Sequence, residues 1–173
     1  MKQESAALQR INAVAQSVEM VMNVLSSVLL LFIALSVIIQ VFGREINIPV
    51  VWLGELSVYS LIWLVFFGLA LGYRNGLFAQ VDIISHFIPV RWKPYLVIFW
   101  DLVGLVIMIM ILVSNNDYLQ YVAKSGTRSS ELKIPLYLVY MGPMIGYLAT
   151  CFFTVVNMVN TIARKVVVKR ETT

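Results

Sequence analysis

Glu55 and Asp101 are the two acids set within apolar runs of this 173-residue chain. An acid in a bilayer costs several kcal/mol unless it is paired or protonated, so each is a candidate for holding or relaying a cation. By helical rise, Glu55 lies about one turn inside one end of its run and Asp101 about two turns inside the opposite face of the membrane. A relay needs further acids forming a chain across the bilayer, and there are none between them. The plainer use is ion pairing near the headgroups: Glu55 with Arg44, and Asp101 with Arg74, Arg91 or Lys93. Asp82, in a polar connecting segment, completes this set of interfacial charges.

Other chemistry is thinly represented. His86 is the single histidine and lies outside the apolar runs, so no pair of axial haem ligands is available within them. Cys151 is the single cysteine, which rules out a disulfide within the chain and any cysteine-based metal site. No His/Asp/Glu cluster has metal-ligand spacing, no glycine-rich phosphate loop follows a strand, and the serines lack a paired base. These residues predict neither a cofactor nor an enzyme.

The elements that must position these residues are membrane helices. Hydrophobic residues make up 60% of the chain and charged residues 13%, with mean hydropathy +0.86. A soluble domain carries about 45–50% and about 25%. The net charge of +4 comes from Lys and Arg at segment ends and in loops, which is membrane topology and not a nucleic-acid surface. We therefore expect an all-α integral membrane protein, one membrane domain over 1–173, with spans at about 20–42, 50–73, 94–113 and 134–159. The first run, about 23 residues, exceeds the ~7–15 of a cleavable signal.

Two polar stretches are expected to lie in the interfacial plane. In 2–19, Leu8, Ile11, Ala15 and Val18 share one face opposite Gln9, Arg10, Asn12 and Glu19. In 79–88, Val81, Ile84 and Ile88 oppose Asp82, Ser85 and His86, before Pro89. Trp52 and Tyr73 at the ends of the second span, with Trp92 and Tyr95 before the third, are placed as headgroup-level anchors. In the first span, the pairs Asn23/Ser27 and Ser36/Gln40 are each four apart and predicted to face another helix. Segment 114–133 should extend the third helix past the bilayer and break at Gly126.

Small residues recur at helical spacing. Gly68, Gly72 and Gly76 punctuate the second span; Gly142, Gly146 and Thr150 punctuate the fourth, beside Pro143. Such faces let backbones approach closely, either between these two spans or against a second protein. Nine Lys and Arg fall on the side of the two termini and four on the other, so the positive-inside rule places both termini in the cytoplasm.

Ordered over four spans, these features resemble a known family. The second span opens with P-x-x-W-x-x-E (Pro49, Trp52, Glu55), continues with Tyr59 and Trp63, and leaves through glycines and Arg74. Val81-Asp82 follows, then S-x-x-L-x-I-P-L at Ser129 to Leu136, then Tyr140, Gly142, Pro143 and Gly146. From about residue 19 to 160 the chain is similar to the small membrane subunit of TRAP (tripartite ATP-independent periplasmic) transporters, the DctQ-like family. Members often carry two adjacent acids after the tryptophan; Gly54 stands in place of the first. The resemblance implies a non-catalytic scaffold in a bacterial inner membrane. It would pack beside a large sodium-coupled, elevator-type subunit of about twelve spans that receives carboxylated solutes (sialic acid or C4-dicarboxylate class) from a periplasmic substrate-binding protein. Segment 114–133 is where the chain would meet that protein. The alternatives are a self-sufficient four-helix exporter acting as a dimer, which needs a deep acid, and a four-helix membrane enzyme, which needs more than Arg74 and Tyr73 at the cytoplasmic edge.

Overall fold

A computed structural model describes the backbone of residues 2–48, 50–76 and 93–171, and the side chains of 8–48, 50–76 and 95–163. Its elements are four helices, α1 (Lys2–Glu45), α2 (Val51–Arg74), α3 (Lys93–Ser125) and α4 (Tyr137–Glu171). Each contains a stretch long and apolar enough to cross a membrane. This is the expected all-α membrane architecture. The expected interfacial helix at 79–88 lies outside the described residues.

Residues 2–19 do not form a separate surface helix: α1 runs unbroken from Lys2 to Glu45. The physical reason is local, since the chain has no glycine before Gly43 and no proline before Pro49, so polarity changes while the backbone has no cause to break. Ala15 is fully buried and Val18 partly so, against α2 and α4. The Ala15 and Val18 part of the apolar face read from the sequence thus packs on protein, while Ile11 stays exposed.

The helix ends are closed by backbone chemistry. After α1, Ile48 N–H donates to Gly43 O (2.8 Å) and Asn47 takes φ +57°. A side chain on Gly43 would press to 2.8 Å from Ile48 O, so the tight turn requires glycine there. Gly76, with φ +71°, follows the last residues of α2, and its N–H donates to Tyr73 O (3.2 Å). Gly76 therefore terminates the helix and is not part of a packing face, which corrects that expectation. α3 runs past the bilayer-length stretch and ends at Gly126 (φ +63°), as its sequence predicts.

α2 and α4 form the central pair; α1 packs mainly on α2, and α3 mainly on α4. The core joins Ala15 and Met22 of α1, Phe67, Ala70 and Leu71 of α2, and Phe153 and Val156 of α4. Gly142 and Gly146 let α4 settle onto α2. A methyl group on Gly142 would sit 2.6 Å from the Trp63 ring, and one on Gly146 2.6 Å from Phe66 Cβ and 2.8 Å from Phe66 O. Thr150 and Thr154, both fully buried, return their hydroxyls to Gly146 O and Thr150 O (each 2.8 Å), so the stripe stays smooth. Half of the apolar window of α4 is buried, against 6% in α1 and in α3. Membrane helices of this kind are held by close packing and hydrogen bonds, because lipid is as apolar as a leucine side chain.

Candidate functional site

Polar groups gather at the two ends of α2, and the helix is uncharged from Leu56 to Tyr73 between them. At the first end Glu55 is held without a cation. Its Oε1 accepts from Tyr59 Oη (2.6 Å) and Ser130 N (3.1 Å), and its Oε2 from Glu131 N (3.1 Å) and Leu132 N (3.0 Å). The expected Glu55–Arg44 ion pair is absent among the described residues. Both line a cavity of about 410 Å³ with Gln40, Gly54 and Glu131, but three consecutive backbone N–H groups satisfy the carboxylate instead. This ties the N-terminal part of α2 to the segment before α4.

That segment is a small closed loop. Ser129 N donates to Ile134 O (2.9 Å), Leu136 N to Thr127 O (3.1 Å), and Lys133 takes φ +52°. Gln40 reaches from α1 toward Ser57 (3.5 Å), so the Ser36/Gln40 face meets α2. A side chain on Gly54 would come 2.9 Å from Gln40 Oε1, the movable end of that side chain. Asn23 and Ser27 differ: both are exposed, and Ser27 Oγ donates back to Asn23 O.

At the other end, Arg74 Nε pairs with Glu19 Oε2 at 3.1 Å, and its guanidinium lies 6.0 Å from the Phe153 ring centre. The Arg74–Asp101 pairing is thus replaced by one reaching back to α1. Asp101 is only 6% exposed and forms no hydrogen bond or ion pair among the described residues. The side chains of Arg91 and Lys93, the other expected partners, lie outside the described residues, as do Asp82 and Trp92. Asp101 borders a cavity of about 420 Å³ with Tyr73, Arg74, Asn157, Asn160 and Thr161.

Two amide contacts close this end. Asn12 and Asn160 exchange both their amide hydrogen bonds (3.1 and 2.8 Å), and Asn157 Nδ2 donates to Tyr73 O (2.9 Å). Tyr73 turns inward, its hydroxyl facing Gly104 of α3, and is half-buried where a headgroup anchor was expected. Trp52 and Tyr95 stay exposed at the starts of α2 and α3. The sequence places Asn12 and Glu19 on a polar face without these helix partners, and it does not single out Asn157 and Asn160. A signal was present for Asn157: the series Gly146, Thr150, Thr154, Asn157, Thr161 continues the small-residue face into polar residues at helical spacing.

Residues 33–164 match the family described as Tripartite ATP-independent periplasmic transporters, DctQ component. The chain belongs to the DctQ family. A curated relative, the C4-dicarboxylate TRAP transporter small permease protein DctQ of Rhodobacter capsulatus, is 24% identical over 109 residues. That match takes in 63% of this chain and 47% of the relative, so the chain spans about half the length of the curated protein it matches. With four helices able to span, this DctQ chain is a multi-pass membrane protein of a transporter family.

Proposed function

We propose that this DctQ chain is the non-catalytic small subunit of a bacterial inner-membrane TRAP transporter. Both termini face the cytoplasm, and the chain packs beside a large transport subunit supplied by a periplasmic solute-binding protein. The observation that carries the reading is the unequal burial of the helices. α2 and α4 bury a tight seam, while α1 and α3 leave almost their whole apolar length uncovered. Charged groups lie at the two ends, beside cavities lined by different residues, and the uncharged length of α2 separates them. Such a bundle has a hydrophobic perimeter for lipid and a partner and, among the described residues, no charged route for a solute.

The stripe Val58, Leu61, Val65 and Gly68 is exposed along α2, with nothing within 4 Å of where a Gly68 side chain would begin. We assign this stripe to the large subunit. A carboxylated solute, of the C4-dicarboxylate or sialic acid class, and sodium coupling then belong to the assembled transporter.

The test is reconstitution. The chain coexpressed with a large TRAP membrane subunit from the same genome should co-purify with it at fixed stoichiometry. Vesicles holding this chain alone should pass no labelled dicarboxylate or sialic acid. Solute flux through the lone chain would overturn the reading.

A further inference from the structure

At the end of the bundle away from the termini, two side chains of opposite charge line one cavity without meeting. Arg44 and Glu131 both border the space of about 410 Å³ between the end of α1, the start of α2 and the loop before α4. Both are exposed, and neither side chain forms an ion pair or hydrogen bond among the described residues. Residues 40–48, 50–60 and 113–140 are all described, and Pro49 between them carries no charge. Glu55 is the third charged group on the cavity, and its carboxylate already holds four donors. Gln40 Nε2 is spent on Ser36 O (3.1 Å), which leaves its Oε1 as an acceptor. The cavity thus keeps one unspent guanidinium and one unspent carboxylate.

Opposite charges that share a cavity without pairing fit a zwitterion carrying phosphate and ammonium close together. Two carboxylates against one guanidinium disfavour a ligand of net negative charge. The depth is that of the headgroups: Arg44 stands two residues past Phe42, the end of the uncharged run of α1, and Val51 opens α2. The two helices are in step here, with Gly43 against Val50 and Gly54 against Gln40. Helical side chains lean toward the N-terminus, so Arg44 leans into the membrane from the end of α1 and Glu55 leans out of it. Glu131, whose N–H donates to the Glu55 carboxylate, therefore sits level with the guanidinium or outside it. We propose that this cavity seats the headgroup of phosphatidylethanolamine, with its phosphate on Arg44 and its ammonium on Glu131. The headgroup then stands with its glycerol toward the bilayer, where Val37 and Val41, within two turns before Arg44, are exposed and apolar. The proposal needs the chain to span a membrane and is independent of its place in a transporter.

Native mass spectrometry of the detergent-purified full chain, titrated with lipids of matched acyl chains, tests this. Phosphatidylethanolamine should form a one-to-one adduct at roughly tenfold lower concentration than phosphatidylcholine or phosphatidylglycerol. The choline headgroup has no N–H to donate, and the glycerol headgroup has no cation. Glu131→Gln should abolish the preference over phosphatidylcholine, while Arg44→Gln should weaken both of these lipids alike. Both side chains are exposed, so helix content by circular dichroism should not change in either variant. Should a variant not fold, the stepwise N-methylated series on the unaltered chain still decides, with affinity falling at each methyl. Equal binding of the three lipids, or a preference untouched by Glu131→Gln, would overturn the proposal, as when Arg44 and Glu131 simply pair with each other. Soluble phosphoethanolamine displacing the lipid at matched concentration would overturn the assignment to a lipid.

Discussion

Gly146 of α4 lies directly on the backbone of Phe66 in α2: a methyl group added there would come 2.8 Å from the Phe66 carbonyl oxygen and 3.0 Å from its carbon. Side chains can rotate away from such a contact, but backbone atoms in the middle of a helix cannot. Gly146→Ala should therefore force the two helices apart and lower stability by about 1–3 kcal/mol. The midpoint of unfolding in mixed detergent micelles measures this. A midpoint equal to that of the parent chain would mean the seam is looser than its geometry.

Glu55 makes a different prediction because its partners are backbone amides 75 to 77 positions further on. Glu55→Ala removes every acceptor, while the loop keeps its own bonds between Ser129 and Ile134 and between Thr127 and Leu136. Hydrogen exchange at Ser130, Glu131 and Leu132 should accelerate, and exchange within α2 should be unchanged. Acceleration spread over the whole bundle would show that the carboxylate holds the fold and not only the loop.

The contrast between these two residues shows what the linear chain made legible. Hydropathy placed the four helices, because lipid demands about 20 apolar residues per crossing wherever the chain is read. The Gly142–Gly146 spacing marked a face that allows close approach. Charge partners were another matter. Arg44 is the cation nearest Glu55 in sequence, but a carboxylate is equally satisfied by three N–H groups from a distant loop, and no residue type marks those groups. Arg74 meets Glu19 because α1 continues through a stretch whose amphipathic pattern suits a membrane surface as well as a protein groove. Gly76 and Gly72 share a spacing but not a role, since α2 stops at Arg74 between them.

The Arg74–Glu19 contact should itself be modest in energy. Both side chains keep contact with solvent (18% and 24% exposed), so water competes for each. In a double-mutant cycle of Arg74→Gln and Glu19→Gln, the coupling energy should be about 0.2–1 kcal/mol and should shrink as salt is raised. A coupling above that range that is insensitive to salt would mean the pair is shielded from water in the membrane.

The Val58–Gly68 stripe of α2 separates internal packing from partner binding. Gly68 has nothing within 4 Å, whereas Gly146 meets Phe66, so large residues at the two sites should have opposite readouts. Gly68→Trp should leave the unfolding midpoint of the isolated chain within about 0.5 kcal/mol of the parent, as at other surface positions. The same substitution should reduce recovery of a coexpressed large TRAP subunit, because a smooth glycine surface is what lets a second helix approach in lipid. Gly146→Ala should lower both quantities together. Full recovery of the large subunit with tryptophan at position 68 would place this stripe against lipid and move the interface to the uncovered flanks of α1 or α3.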